Sequence, residues 1–159
     1  MLASEIGDAI EIETLSWIRS LGGDPQGTYN DYSLYMGLCS SNVLGTNFDD
    51  NYISGSRILV MSSSPYTTPS VNQNEWFDNI LDTSFWYNGE DNLIIEIEWS
   101  DGVGSLYTWH WNSGGQRCVI GPYGASNATE TSSNVPNIRL NGVLSLSNTT
   151  FGRIKAAFI

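Results

Sequence analysis

Asn92-Leu-Ile-Ile-Glu-Ile-Glu-Trp99 decides the fold class. At a period of two, Leu93, Ile95, Ile97 and Trp99 share one face, and Ile94, Glu96 and Glu98 share the other. That alternation marks a strand with one side in a core and one in water. Asp101-Gly-Val-Gly104 supplies turn chemistry, after which Tyr107, Trp109 and Trp111 alternate with Thr108 and His110. The pattern predicts a β-hairpin whose register stays open. One loop length pairs Ser100 with Ser105 and sets Trp109 beside Glu96 on the outer face; one residue more pairs Trp109 with Ile97 in the core. The outer arrangement makes a flat strip of Tyr107, Trp109 and Trp111 flanked by Glu96 and Glu98, a surface suited to stacking on sugar rings.

Outward from this segment the chain repeats the theme. Short β-branched and aromatic runs fall at residues 10–18, 32–36, 57–61, 76–81, 106–111, 117–120, 137–140 and 142–146. Between them lie turns rich in Gly, Pro, Asn and Ser, including long loops over 61–75 and 121–137. Many short strands and no long amphipathic helix predict an all-β, antiparallel β-sandwich, one domain over residues 1–140. Residues 141–159 read as a C-terminal extension. In it Ile154, Ala156 and Phe158 alternate as a donor or edge strand would, although Phe151, Ile154 and Phe158 also fit a helical spacing.

Charge narrows the partners. Against 17 acidic residues stand 6 Lys and Arg, a net charge of −11, which repels phosphate backbones and anionic lipid. No nucleic acid is expected, and no apolar run approaches the ~20 residues that span a bilayer. Lys155 is the sole lysine, and Asn, Ser, Thr and Gly fill the polar positions, a usage that suggests an extracellular or cell-surface protein. Asn127 and Asn148 each open an Asn-x-Thr glycosylation pattern. Glu5 and Asp8 occupy the region where a signal peptide would be basic and then apolar, so the chain is expected to be a mature form or a fragment. Cys39 and Cys118 have two readings. They are a pair of buried thiols, or a disulfide closing a loop of roughly 80 residues that would add ~4 kcal/mol.

Catalytic signatures are missing from the sequence. His110 is the single histidine, and there is no CxxC, P-loop, GxSxG or dinucleotide-binding glycine motif. Glu96 and Glu98 stand about 7 Å apart along a strand, yet alternating acids on a strand are usually a solvated face. Asp49-Asp50 and Glu90-Asp91 lack the ligand spacing of a calcium loop. The expectation is a non-enzymatic protein without cofactor or metal.

The stretch Trp76-Phe-Asp-Asn-Ile-Leu-Asp-Thr-Ser-Phe-Trp-Tyr-Asn-Gly-Glu-Asp-Asn-Leu-Ile-Ile-Glu96 resembles a pattern in secreted β-sandwich domains of Bacteroidetes-like and candidate-phylum bacteria. These domains often occur in surface proteins exported by type IX secretion. Leu2-Ala-Ser-Glu-Ile-Gly7, Tyr35-Met-Gly37 and Val135-Pro-Asn-Ile-Arg-Leu140 are similar as well, in the same order along the chain. The resemblance implies a jelly-roll-like sandwich and little about activity. Family members carry a strand before the segment at Leu2, which is expected to be absent or a stub here. A sandwich short of one edge strand, with a strand-like tail, predicts a homo-polymer joined by donor strands, as in donor-strand pilins. Its contacts would be Phe151, Ile154, Ala156, Phe158 and Ile159 from one copy, and Met1, Leu2 and Ile6 from the next. The alternative is a polysaccharide-binding or adhesin module that uses the aromatic strip.

Overall fold

A computed structural model describes residues 1–144. A single helical turn, α1 (Ala3–Ile6), precedes the strands β1 (Ile10–Gly23), β2 (Thr28–Asn30), β3 (Tyr32–Cys39), β4 (Ile58–Ser63) and β5 (Tyr66–Thr67). Then come β6 (Trp76–Tyr87), β7 (Asn92–Glu98), β8 (Asp101–Val103), β9 (Leu106–Thr108) and β10 (His110–Asn112). The last are β11 (Cys118–Ile120), β12 (Glu130–Ser132), β13 (Asn134–Pro136) and β14 (Ile138–Leu144). Two antiparallel sheets, in the orders β14-β1-β6 and β4-β3-β7, face each other as a β-sandwich, and shorter strands pair around them.

The long strand β1 organises the first sheet because its side-chain parity changes midway. Ile12 lies on an even position, Leu15 and Trp17 on odd ones, yet all three are buried. A bulge between Ile12 and Thr14 shifts the register against both neighbours and turns the later residues toward the same core. On β6 the same bulge sets Phe85 opposite Ile12 and Ile80 opposite Thr14, so residues 81–84 lean out of the ladder. There the Asp82 carboxylate accepts the backbone N–H of Ser62 from β4 at 3.0 Å, which closes one side of the sandwich. Gly142 is required on the other flank, since a Cβ there would stand 1.9 Å from the Glu11 carbonyl. The strand therefore runs unbroken through the interval expected between residues 140 and 142.

Phe77, Phe85 and Tyr87 from β6 complete that layer, and Tyr32, Leu34, Met36, Val60 and Leu93 meet it from the second sheet. Each such side chain contributes roughly 1.5–3 kcal/mol by leaving water. Two buried polar groups are tied in. Asn79 donates to the Leu15 carbonyl at 3.2 Å and accepts from the Tyr66 hydroxyl, while Arg19 donates to the carbonyls of Val71 and Gly23.

The expected hairpin does not form, in either register. Strand β7 pairs with β3, with Leu34 opposite Ile97 and Met36 opposite Ile95. The return segment divides among three partners: β8 joins β2, β9 joins β1, and β10 joins β13. Residues 101–103, read as a turn, are a strand because Gly102 lets β2 approach: a Cβ there would meet the Thr28 carbonyl at 2.6 Å. The supposed loops over 61–75 and 121–137 likewise contain β5, β12 and β13, short polar strands that carry no hydrophobic periodicity.

Asn79→Ala removes both buried hydrogen bonds and leaves the Tyr66 hydroxyl and Leu15 carbonyl without them. A loss of about 1–3 kcal/mol is expected in denaturant unfolding followed by circular dichroism, and an unchanged midpoint would contradict this account.

Candidate functional site

Among the described residues strand β7 is the last of its sheet, and its outer edge borders the candidate site. At its start Leu93 and Met1 exchange two hydrogen bonds, Leu93 N–H to Met1 O at 2.9 Å and Met1 N to Leu93 O at 2.6 Å. That reciprocal exchange defines an antiparallel pair. Backbone direction alternates along a strand, so the N–H and C=O of Ile95 and Ile97 point to the same edge as those of Leu93. Among the described residues they meet no backbone partner there.

Alongside this edge runs a slot of about 910 Å³. Trp17 and Ile138 line it from the first sheet, Val119, Ile120 and Pro136 from the segment beyond β10, and Phe48 and Tyr123 from loops. Both faces of β7 open into it, Ile95 and Ile97 from one and Glu96 and Glu98 from the other. Ile97 and Trp99 remain 36% and 46% exposed, a high value for residues whose parity belongs to the core face.

The carboxylate face has its own construction. Gly37 on β3 leaves room for the Tyr52 ring, which a Cβ would meet at 2.5 Å. Tyr52 can then donate its hydroxyl to Glu96 at 2.6 Å. Arg57 lies over the Tyr35 ring, 3.7 Å from its centre, and grips the same carboxylate through Nε at 3.0 Å and Nη2 at 2.8 Å. Burial opposes the charge of Glu96, but the Arg57 and Tyr52 hydrogen bonds hold its pKa below the ordinary value. Glu98 differs. Burial first, then the neighbouring charge of Glu96, raise its pKa, and Arg57 reaches it only at 4.0 Å. One carboxylate is satisfied and the other is not.

The remaining positions singled out in the sequence fall in several places. Met1 and Ile6 pack against the core, and Leu2 lines the slot. Tyr107 on β9 packs beside Gly22, Trp109 lies between strands with its indole N–H on Asn74 at 2.8 Å, and Trp111 lines the slot. The three aromatics thus belong to different pairings and do not form one strip beside Glu96. Cys39 and Cys118 are free thiols rather than a disulfide, Cys39 buried with its sulfur on Ser41 and Cys118 half-buried at the start of β11. Asn127 is exposed and bridges Asn47 through its backbone. Asn148, Phe151, Ile154, Ala156, Phe158 and Ile159 lie outside the described residues. Of the two residues that hold Glu96, Tyr52 lies in the loop before β4, which carries no periodic signal, and Arg57 opens the run read at 57–61, whose pattern says nothing of its reach to Glu96. Among the described residues no cluster of His, Cys, Asp and Glu has the makings of a metal site, and no helix is long and apolar enough to cross a membrane.

Comparison with family models, with curated proteins and with solved structures finds no match. Nothing in it bears on the resemblance of the Trp76 to Glu96 stretch to secreted bacterial sandwich domains.

Gly37→Ala forces Tyr52 off β3 and is expected to cost about 1–3 kcal/mol. The same change in a Tyr52→Ala background should cost much less. Equal losses in both backgrounds, read from urea unfolding, would show that the ring does not depend on the glycine.

Proposed function

We propose that this chain is a non-enzymatic structural subunit of an extracellular filament, joined to its neighbours by β-strand complementation. The observation that carries this reading is the open edge of β7. The backbone groups along this edge are available to an added strand, which satisfies all of them at once. Donor and acceptor are different surfaces of the same chain, so the contact is heterologous and propagates instead of closing. The acidic surface suits a polymer that must stay soluble along its sides. Export from the cell and a jelly-roll path of the strands belong to the same proposal, supported by composition and by the resemblance.

A second reading has one observation in its favour. Trp99, Trp111 and Tyr123 all line the slot, and they are 46%, 44% and 54% exposed. Exposed aromatics along a cleft of this size suit a polysaccharide chain.

Negative-stain electron microscopy with light scattering separates the two. Filaments or concentration-dependent oligomers of the full chain are expected. A monomer at every concentration that binds soluble polysaccharide, and loses that binding in Trp111→Ala, would replace the filament by the binding module.

A further inference from the structure

The slot has a polarity and two chemically different walls, which together specify what fits it. The Met1–Leu93 pair occupies one end and is antiparallel to β7. A strand continuing that line passes Ile95 and then Ile97, reading back along its own sequence. Positions opposite Ile95 and Ile97 point to the apolar side, toward Trp17 and Ile138. Positions opposite Glu96 and Glu98 point to the acidic side. The occupant must therefore alternate apolar residues with small or cationic ones.

Residues 153–158, Arg-Ile-Lys-Ala-Ala-Phe, have this alternation. Ile154, Ala156 and Phe158 fall on one parity, and Arg153, Lys155 and Ala157 on the other. Two of the chain's 6 basic residues stand in this stretch. With Phe158 opposite Ile95 and Ala156 opposite Ile97, the small Ala157 faces Glu96, already held by Tyr52 and Arg57. Lys155 then faces Glu98, which Arg57 reaches only at 4.0 Å.

The path of the chain favours a second copy as the donor. Strand β14 ends with Leu144 opposite Ile10, which also faces Tyr87, the residue at the close of β6. A tail that continues in the direction of β14 leaves the sandwich at the end where Met1 already covers Leu93. To enter the next molecule's slot from its Trp99 end, it needs no reversal. Filling its own slot would take a reversal within residues 145–152, Ser-Leu-Ser-Asn-Thr-Thr-Phe-Gly, and a return to the Trp99 end before Arg153.

Resting on the filament reading above, we propose that residues 153–158 of one copy form the missing strand in the slot of the next. They run antiparallel to β7, with Ile154, Ala156 and Phe158 inward and Lys155 paired to Glu98.

The test measures the critical concentration for assembly of full-length chains by light scattering and electron microscopy. Ile154→Asp, which sets a charge on the apolar side, should raise it about a hundredfold or more. Glu98→Lys and Lys155→Glu each place like charges opposite one another and should raise it about five- to tenfold, while the double variant carrying both should return close to the parent. Circular dichroism establishes that the Glu98 variant is folded. Absence of assembly in the parent chain overturns the filament reading itself. Assembly of the parent that Ile154→Asp leaves unchanged overturns the donor segment alone. Loss with Ile154→Asp, but no rescue in the double charge variant, overturns the register and the Lys155–Glu98 pair. A parent that stays monomeric and unfolds more easily in Ile154→Asp shows the tail filling its own slot.

Discussion

The constraint that organises this site is the outer edge of β7, which no described residue pairs beyond Leu93. Every backbone N–H and C=O withdrawn from water requires a partner, and a strand meets that requirement on two sides. β3 serves one side of β7 along its whole length. On the other, Met1 serves Leu93, and no described residue serves Ile95 or Ile97. A closed barrel would remove the edge, and a charged or bulged strand would protect it. Here the edge is instead walled by apolar side chains on one side and two carboxylates on the other.

The bulge in β1 makes that geometry possible. It brings Ile12, Leu15 and Trp17 onto one face despite their mixed parity, and in the displaced stretch of β6 Asp82 reaches β4. The sandwich is thereby drawn together on the β4–β6 side. Trp17, just past the bulge, reaches the slot on the opposite side.

Electrostatics adds direction to an otherwise apolar contact. Glu96 is locked by Arg57 and Tyr52, an arrangement that depends on the missing side chain of Gly37. Glu98 shares little of that stabilisation, with Arg57 reaching it only at 4.0 Å. Half-exposed ion pairs contribute little to stability alone, but opposite charges across a strand ladder discriminate one register from its neighbours. In the filament reading, apolar residues supply the affinity and the charge pair selects the alignment.

The sequence by itself determined the fold class and the alternation of β7, because period-two patterning is a local property of adjacent residues. The core position of Leu93 was legible for the same reason, while Ile97 and Trp99, of the same parity, stay 36% and 46% exposed. Strand partners were not. Asn92–Glu98 and Leu106–Thr108 are close in sequence with turn residues between them, yet each found its partner elsewhere. Pairing is chosen by the packing of whole sheets, and by glycines such as Gly102 and Gly142 whose value is the space they leave for a distant backbone. Tyr52 was silent because its loop has no period, Arg57 was legible only as the start of the run at 57–61, and the tertiary fold alone brings both to Glu96. The slot is likewise a property of the assembled sheets. No local pattern reports a missing neighbour, since the strand that lacks one reads the same as a strand that has two.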